Sequence, residues 1–173
     1  RAFPGNTLLV ERLAYGPEGE YLAMGTGFPS DETFVWNTNT GALDFSFGES
    51  VGAVQGLDIA PDGMTIALGG SRGGFDVWQL TDEMADVQLL HTVADAHTDG
   101  LFDLTFNPDG TLLATAGFDG AVRLWSVESG EMLAELRGTA AARSVLAVAF
   151  SADGRTLAAA GEATDIWLWQ VDT

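Results

Sequence analysis

Between His91 and Asp103 the sequence gathers His91, Asp95, His97, Asp99 and Asp103, imidazole and carboxylate donors of the kind that hold divalent cations. Their spacing matches no closed metal site, so the acids read as a solvated loop and His97 is left for another role. The stretch Gly69-Gly-Ser-Arg-Gly-Gly74 has the small residues of a phosphate cradle but lacks its glycine spacing and its lysine. A strand pattern rather than a helix follows it, so a hairpin turn fits better. Serine, histidine and aspartate for acyl transfer are available by composition, with 2 His and 15 Asp, yet no Gly-x-Ser-x-Gly elbow occurs. Cysteine is absent, which removes thiol nucleophiles, thiolate metal sites and disulfides. All 7 basic residues are Arg, so lysine-dependent phosphate-loop, Schiff-base and kinase chemistry has no residue to use. These patterns assign no catalytic residue, no metal site and no cofactor.

Charge points the same way. Against those 7 bases stand 25 acids, a formal net charge of −18. Such a surface repels phosphate backbones and anionic membranes, which disfavours nucleic acid and membrane surfaces as partners. No apolar run approaches the ~20 residues of a membrane helix, and no signal-peptide pattern is present, so the chain reads as soluble. It opens on Arg1, from which we expect a processed chain or a piece of a longer one. With 173 residues, 46% of them hydrophobic, it can bury a sizeable core.

The elements that must position these residues repeat. Leu113-Ala-Thr-Ala-Gly-Phe-Asp-Gly-Ala-Val-Arg-Leu-Trp125 reads as two short strands around a Gly/Asp turn, and weaker copies recur along the chain. The first strand of each unit ends at Tyr15, Ile59, Phe106 and Phe150, which are 44, 47 and 44 residues apart. A Trp closes the third strand each time, at Trp36, Trp78, Trp125 and Trp169. Turns at Gly16-Pro-Glu-Gly19, Pro61-Asp-Gly63, Pro108-Asp-Gly110 and Ala152-Asp-Gly154 combine a restricted φ with a residue that tolerates positive φ, the chemistry of a tight hairpin. Strands such as Leu112-Leu-Ala and Ala147-Val-Ala-Phe150 are apolar on both faces, as a sheet sandwiched between two neighbours requires. Gly, Thr and β-branched residues interrupt every candidate helix. The predicted fold is all-β, with four repeats of a four-stranded antiparallel sheet at about 8–48, 52–94, 97–138 and 143–173. The last unit lacks its fourth strand. A period of ~40–45 residues with four strands is the signature of a propeller blade.

The units resemble blades of the WD-repeat β-propeller family. The third is the closest match, from Ala96-His97 through Phe106-Asn-Pro-Asp-Gly110 and Leu113-Ala-Thr-Ala-Gly117 to Val122-Arg-Leu-Trp125. The resemblance implies a buried hydrogen-bond network of His97, Thr115, Asp119 and Trp125. Asp119 would fix the His97 tautomer, and the imidazole would reach Thr115 and then the indole. The fourth unit has Ala141, Ala159 and Ala163 in place of the first three; the second keeps only Trp78. The Trp-Asp dipeptide that names the family is absent, since Asn37, Gln79, Ser126 and Gln170 follow the four tryptophans.

The resemblance also implies a protein-interaction scaffold without enzymatic activity. In this family partners dock on the face holding the loops before strand one and between strands two and three. Carried over position by position, that face comprises Phe102 and Phe118, Gln55 and Ser71, Leu146 and Glu162, and Glu11. Phe102 and Phe118 either anchor a partner or fold over a neighbouring blade. Arg123 and Arg143 are either interface residues or partners of nearby acids. The family closes rings of about seven blades, so the open ends here are expected to be covered by missing parts of the same chain, a second copy or another subunit. Trp167, standing where Arg123 stands in the third unit, is the expected ring-completion contact. The alternative is an extracytoplasmic sensor or enzyme-associated propeller that binds cations such as calcium on acidic loops.

Overall fold

The turn motifs close the first hairpin of every unit. Gly19, Gly63, Gly110 and Gly154 have φ of 72°, 72°, 76° and 71° in the computed structural model, the left-handed region where a Cβ is costly. The preceding aspartate folds back on the turn. Asp62 Oδ1 accepts from the Met64 and Thr65 amides at 2.8 and 2.9 Å, and Asp109 Oδ1 from the Thr111 amide at 2.9 Å. The turns also stack from unit to unit, because Pro17 lies over Gly63, Pro61 over Gly110 and Pro108 over Gly154.

The structure describes residues 9–27, 32–48, 51–81, 86–138, 144–163 and 165–171, and Ala141 and Arg143 lie outside them. Among these residues the chain forms fifteen strands and no helix, hence no helix long and apolar enough to cross a membrane. The first sheet is β1 (Val10–Tyr15), β2 (Tyr21–Thr26), β3 (Glu32–Asn37) and β4 (Leu43–Gly48). The second is β5 (Val54–Ile59), β6 (Thr65–Gly70), β7 (Phe75–Leu80) and β8 (Val87–Val93). The third is β9 (Leu101–Phe106), β10 (Leu112–Gly117), β11 (Ala121–Ser126) and β12 (Met132–Arg137). The fourth has three strands among the described residues, β13 (Val145–Phe150), β14 (Thr156–Gly161) and β15 (Ile166–Gln170). Every pairing is antiparallel between sequence neighbours, and β1, β5, β9 and β13 pack in succession along the inner edge. The four sheets are therefore laid side by side as propeller blades.

Three apolar layers hold the sheets together. Val35, Phe45 and Phe47 meet Val54, Ile66 and Leu68 between the first two sheets. Phe75 and Val77 meet Leu101, Leu104 and Trp125 between the second and third, and Val122 and Leu124 meet Val145, Val148 and Leu157 between the third and fourth. Gly56 and Gly69 let the second and third sheets close up, since a methyl on either would press into Leu101 and Leu104. Burial of each such leucine is worth roughly 1.5–3 kcal/mol. Burial on both faces holds for the middle strands β2 and β6, whereas β4 and β12 alternate because the outer edge of each sheet faces solvent.

Two carboxylates fasten the inner strands across these layers. Asp58 Oδ2 on β5 accepts from the Phe106 amide (2.9 Å) and the Thr105 hydroxyl (3.0 Å) on β9. Asp103 Oδ2 on β9 accepts from the Val148 amide on β13 at 2.9 Å. Burial raises the pKa of both, against the pull of those hydrogen bonds.

Candidate functional site

The third sheet contains a chain of buried polar groups. The Trp125 indole N–H donates to Thr115 Oγ1 at 2.9 Å, and Thr115 Oγ1 lies 2.8 Å from His97 Nε2. Indole can only donate, so the single hydroxyl proton of Thr115 goes to Nε2. That leaves Nδ1–H to donate to Asp119 Oδ1 at 2.9 Å. Arg123 Nη1 donates to Asp119 Oδ2 (2.7 Å) and to the Ala96 carbonyl (2.9 Å). Its 2.7 Å approach to Nδ1 brings two N–H groups together and is not a hydrogen bond. Arg123 Nε and Nη2 also donate to Glu135 Oε2, and Arg137 Nε to Glu135 Oε1 at 2.7 Å. Burial lowers the His97 pKa despite Asp119, so the imidazole is neutral near pH 7. Burial opposes ionisation of Asp119 as well, but the bonds from His97 and Arg123 prevail and bring its pKa to about 2. Gly117 leaves room for the ring, since a methyl there would overlap the imidazole. Arg123 is thus a partner of acids. Glu135 was not singled out from the sequence; the signal for it is the cross-strand register, which sets Arg123 opposite Glu135.

The other sheets fill the same place differently. In the second, Leu68 stands at the position of Thr115, and the buried Trp78 Nε1 has no hydrogen-bond partner. The Trp78 ring packs on Phe47 of the preceding sheet at 4.8 Å between centroids. In the fourth, Ala159 takes the place of Thr115 and Trp169 packs near Trp167.

At one end of the propeller the inner strands share a local irregularity. Pairing slips between Val10 and Arg12, between Val54 and Gly56, between Leu101 and Asp103, and between Val145 and Ala147. The residue left over at each β-bulge is Glu11, Gln55, Phe102 or Leu146. A bulge re-aims the side chain it carries. One backbone bond repeats beside each bulge: Gly27 N–H to Leu9 O, Ser71 to Ala53, Phe118 to Gly100, and Glu162 to Ser144, all at 3.0–3.1 Å. It sets Ser71, Phe118 and Glu162 in equivalent places just outside the bulged residues. Phe102 and Phe118 meet with centroids 4.1 Å apart and planes tilted by 46°. Phe102 is half-buried and Phe118 is 42% exposed, so the pair still offers a ring to solvent. Leu146, Glu11, Ser71 and Glu162 are exposed, and Gln55 is half-buried. Arg12 donates to the carbonyls of Glu11 (3.0 Å) and Phe102 (3.4 Å), spanning from β1 to β9.

The remaining chemistry-bearing residues are dispersed. His91 Nε2 lies 3.1 Å from the Glu128 carbonyl on the outer edge, His97 is in the buried chain and Asp103 fastens β13. No group of three or more His, Cys, Asp or Glu among the described residues lies close enough to hold a metal ion. Gly69–Gly74 forms the β6–β7 hairpin. Trp167 differs from the expectation. Its indole lies over Gly138, packed against the layer between the third and fourth sheets. Strand parity explains this, because alternate residues face opposite sides. The outward side of β15 instead carries Ile166 and Leu168, 72% and 67% exposed, at the positions that Val122 and Leu124 fill against the fourth sheet.

Comparison with known proteins gives a consistent picture. The family model for the WD domain, G-beta repeat matches residues 87–126 and 130–170. Each matched unit starts on the outer strand of one sheet and runs through three strands of the next. The chain is 30% identical over 118 residues to mouse WD repeat and SOCS box-containing protein 1, covering 68% of this chain and 27% of that protein. It is 30% identical over 129 residues to meiotic fizzy-related protein 2 of Schizosaccharomyces pombe, covering 72% and 24%. It is 27% identical over 129 residues to the protein LST8 homolog of Drosophila melanogaster, covering 73% and 41%. The matches thus span between about a quarter and two-fifths of these relatives.

Proposed function

Because the chain belongs to the WD-repeat family, we propose that it is a non-enzymatic protein-interaction scaffold whose partner docks on the bulged end of the propeller. The observation that carries this reading is the repetition of the bulge. Four inner strands each set one side chain at the same end, and a bare sheet edge has no need to do so four times. Around that end the backbone is constant while the side chains differ, as Glu11, Gln55 with Ser71, Phe102 with Phe118, and Leu146 with Glu162. A fixed frame with a varied set of contacts supports recognition of one partner over others. The Phe102–Phe118 pair is the anchor, a partly exposed aromatic surface held in place before binding. We also read the outward side of β15, with Ile166 and Leu168, as the surface met by whatever protein element lies next in the ring.

The test is comparative capture. Wild-type chain, a Phe102→Ala/Phe118→Ala variant and an Asp109→Asn variant at the opposite end are immobilised, and retained proteins are identified. A partner held by wild type and Asp109→Asn but lost by the double variant supports the reading; equal retention by all three refutes it.

A further inference from the structure

We infer that the bulged end takes a basic peptide segment, seating a Lys or Arg side chain on the Phe102–Phe118 pair among carboxylates; this rests on that end being the docking face. Three observations converge on it. The first is the rings themselves. Tilted by 46° at 4.1 Å, with Phe118 42% exposed, they offer an aromatic ring to solvent, and the exposed Leu146 occupies the equivalent bulge on the next sheet. An aromatic face carries negative electrostatic potential and attracts a cation, while the aliphatic stem of Lys or Arg lies on apolar surface.

The second is the local charge. Glu11 and Glu162 occupy the bulge end on the first and fourth sheets, and Asp99 precedes Gly100, whose backbone holds Phe118. All three acids are exposed, and among the described residues none is in an ion pair. The arginines around the third sheet are already engaged. Arg12 serves the Glu11 and Phe102 carbonyls, and Arg123 and Arg137 close on Asp119 and Glu135. Arg12, bound to carbonyls, and Arg72 beside Ser71 keep their positive charge at this end, and the exposed carboxylates of Glu11, Asp99 and Glu162 outnumber them.

The third is the long-range field. A net charge of −18 with no Lys speeds encounter with a positive segment and repels a negative one.

A fluorescein-labelled decapeptide of alternating Lys and Gly, its alternating Glu and Gly counterpart, and anisotropy titration decide the matter. The Lys peptide is expected to bind and to weaken between low salt and about 0.15 M, while the Glu peptide does not bind. Phe118→Leu keeps apolar area but removes the aromatic face, and is expected to weaken binding roughly 2–5-fold. Phe102→Ala/Phe118→Ala should weaken it about tenfold. Glu162→Gln should weaken binding while Asp109→Asn, which removes the same charge at the other end, leaves it unchanged. Circular dichroism confirms that each variant folds; should the double variant not fold, Phe118→Leu carries the test, since Phe118 lies on a turn with its ring partly in solvent. Binding unchanged by the Phe substitutions, equal effects of Glu162→Gln and Asp109→Asn, or no binding of the Lys peptide overturns the inference. Partner capture that depends on Phe102 and Phe118 without any Lys-peptide binding would sink this inference alone and leave the scaffold reading standing.

Discussion

Replacing Thr115 with Val isolates the buried chain of the third sheet. The side chains have nearly the same shape, so no cavity opens and the hydroxyl is the only loss. Two groups are then stranded: the Trp125 indole N–H, which loses its acceptor, and His97 Nε2, which loses its donor, on a side chain with no solvent exposure. A buried polar group without a partner costs about 1–3 kcal/mol. The second sheet calibrates the indole part, because Trp78 Nε1 is buried without a hydrogen bond beside Leu68, so the fold tolerates one such orphan. The imidazole therefore decides the outcome, and we expect a total loss of about 2–4 kcal/mol. Urea unfolding followed by tryptophan fluorescence reads it. With a slope of about 2 kcal/mol/M, the midpoint moves down by roughly 1–2 M. Thr115→Ser restores the hydroxyl and should recover most of the loss, short of about 1 kcal/mol for the missing methyl. A Thr115→Val midpoint within about 0.25 M of wild type, or a Thr115→Ser variant no better than Val, would refute the assignment of this chain as a stabilising unit.

Four further outcomes follow. Because burial holds the folded His97 pKa below its unfolded value, the unfolded chain binds the extra proton first on acidification; stability is whole above about pH 6.5 and falls below it, and the His97 ring resonances in NMR titrate below 6.5. Asp119, depressed to about 2 from an ordinary 3.8, adds a second loss that starts near pH 4 and runs toward pH 2, measurable as the part of the pH dependence below pH 4 that disappears in Asp119→Asn. Gly138→Ala drives a methyl into the Trp167 indole and should cost about 1–3 kcal/mol with a changed near-ultraviolet signal, whereas an unchanged melting curve would contradict the inward placement of Trp167. Asp58→Ala leaves the Phe106 amide and Thr105 hydroxyl without their acceptor and should lower stability by about 1–3 kcal/mol at neutral pH, checked by urea unfolding.

Much of this architecture is written locally. The Pro-Asp-Gly and Pro-Glu-Gly turns, the run of four tryptophans and the 44–47-residue spacing define four hairpin-rich sheets, because turn chemistry and strand pattern act over a few residues. Aligning the units also picks out Glu11, Gln55, Phe102 and Leu146 as equivalent positions. Their shared orientation is not local. It comes from a one-residue slip in the pairing of each inner strand, which depends on the partner strand as much as on the residue itself. Trp167 shows the same limit: its equivalence to Arg123 is legible in the sequence, but not that both point back toward the preceding sheet while Ile166 and Leu168 face outward.

The sequence by itself therefore determined the repeat, its strands and turns, and the strongly acidic net charge. Only the tertiary structure decided which side chains meet. Arg123 finds Glu135 through strand register, Asp58 finds Phe106 and Asp103 finds Val148 through stacked sheets, and Phe102 finds Phe118 through a bulge and a turn. The physical reason is range. Backbone preference is set by each residue and its neighbours, whereas pairing and packing couple residues 12 to 48 positions apart, at distances fixed by how whole sheets lie against one another.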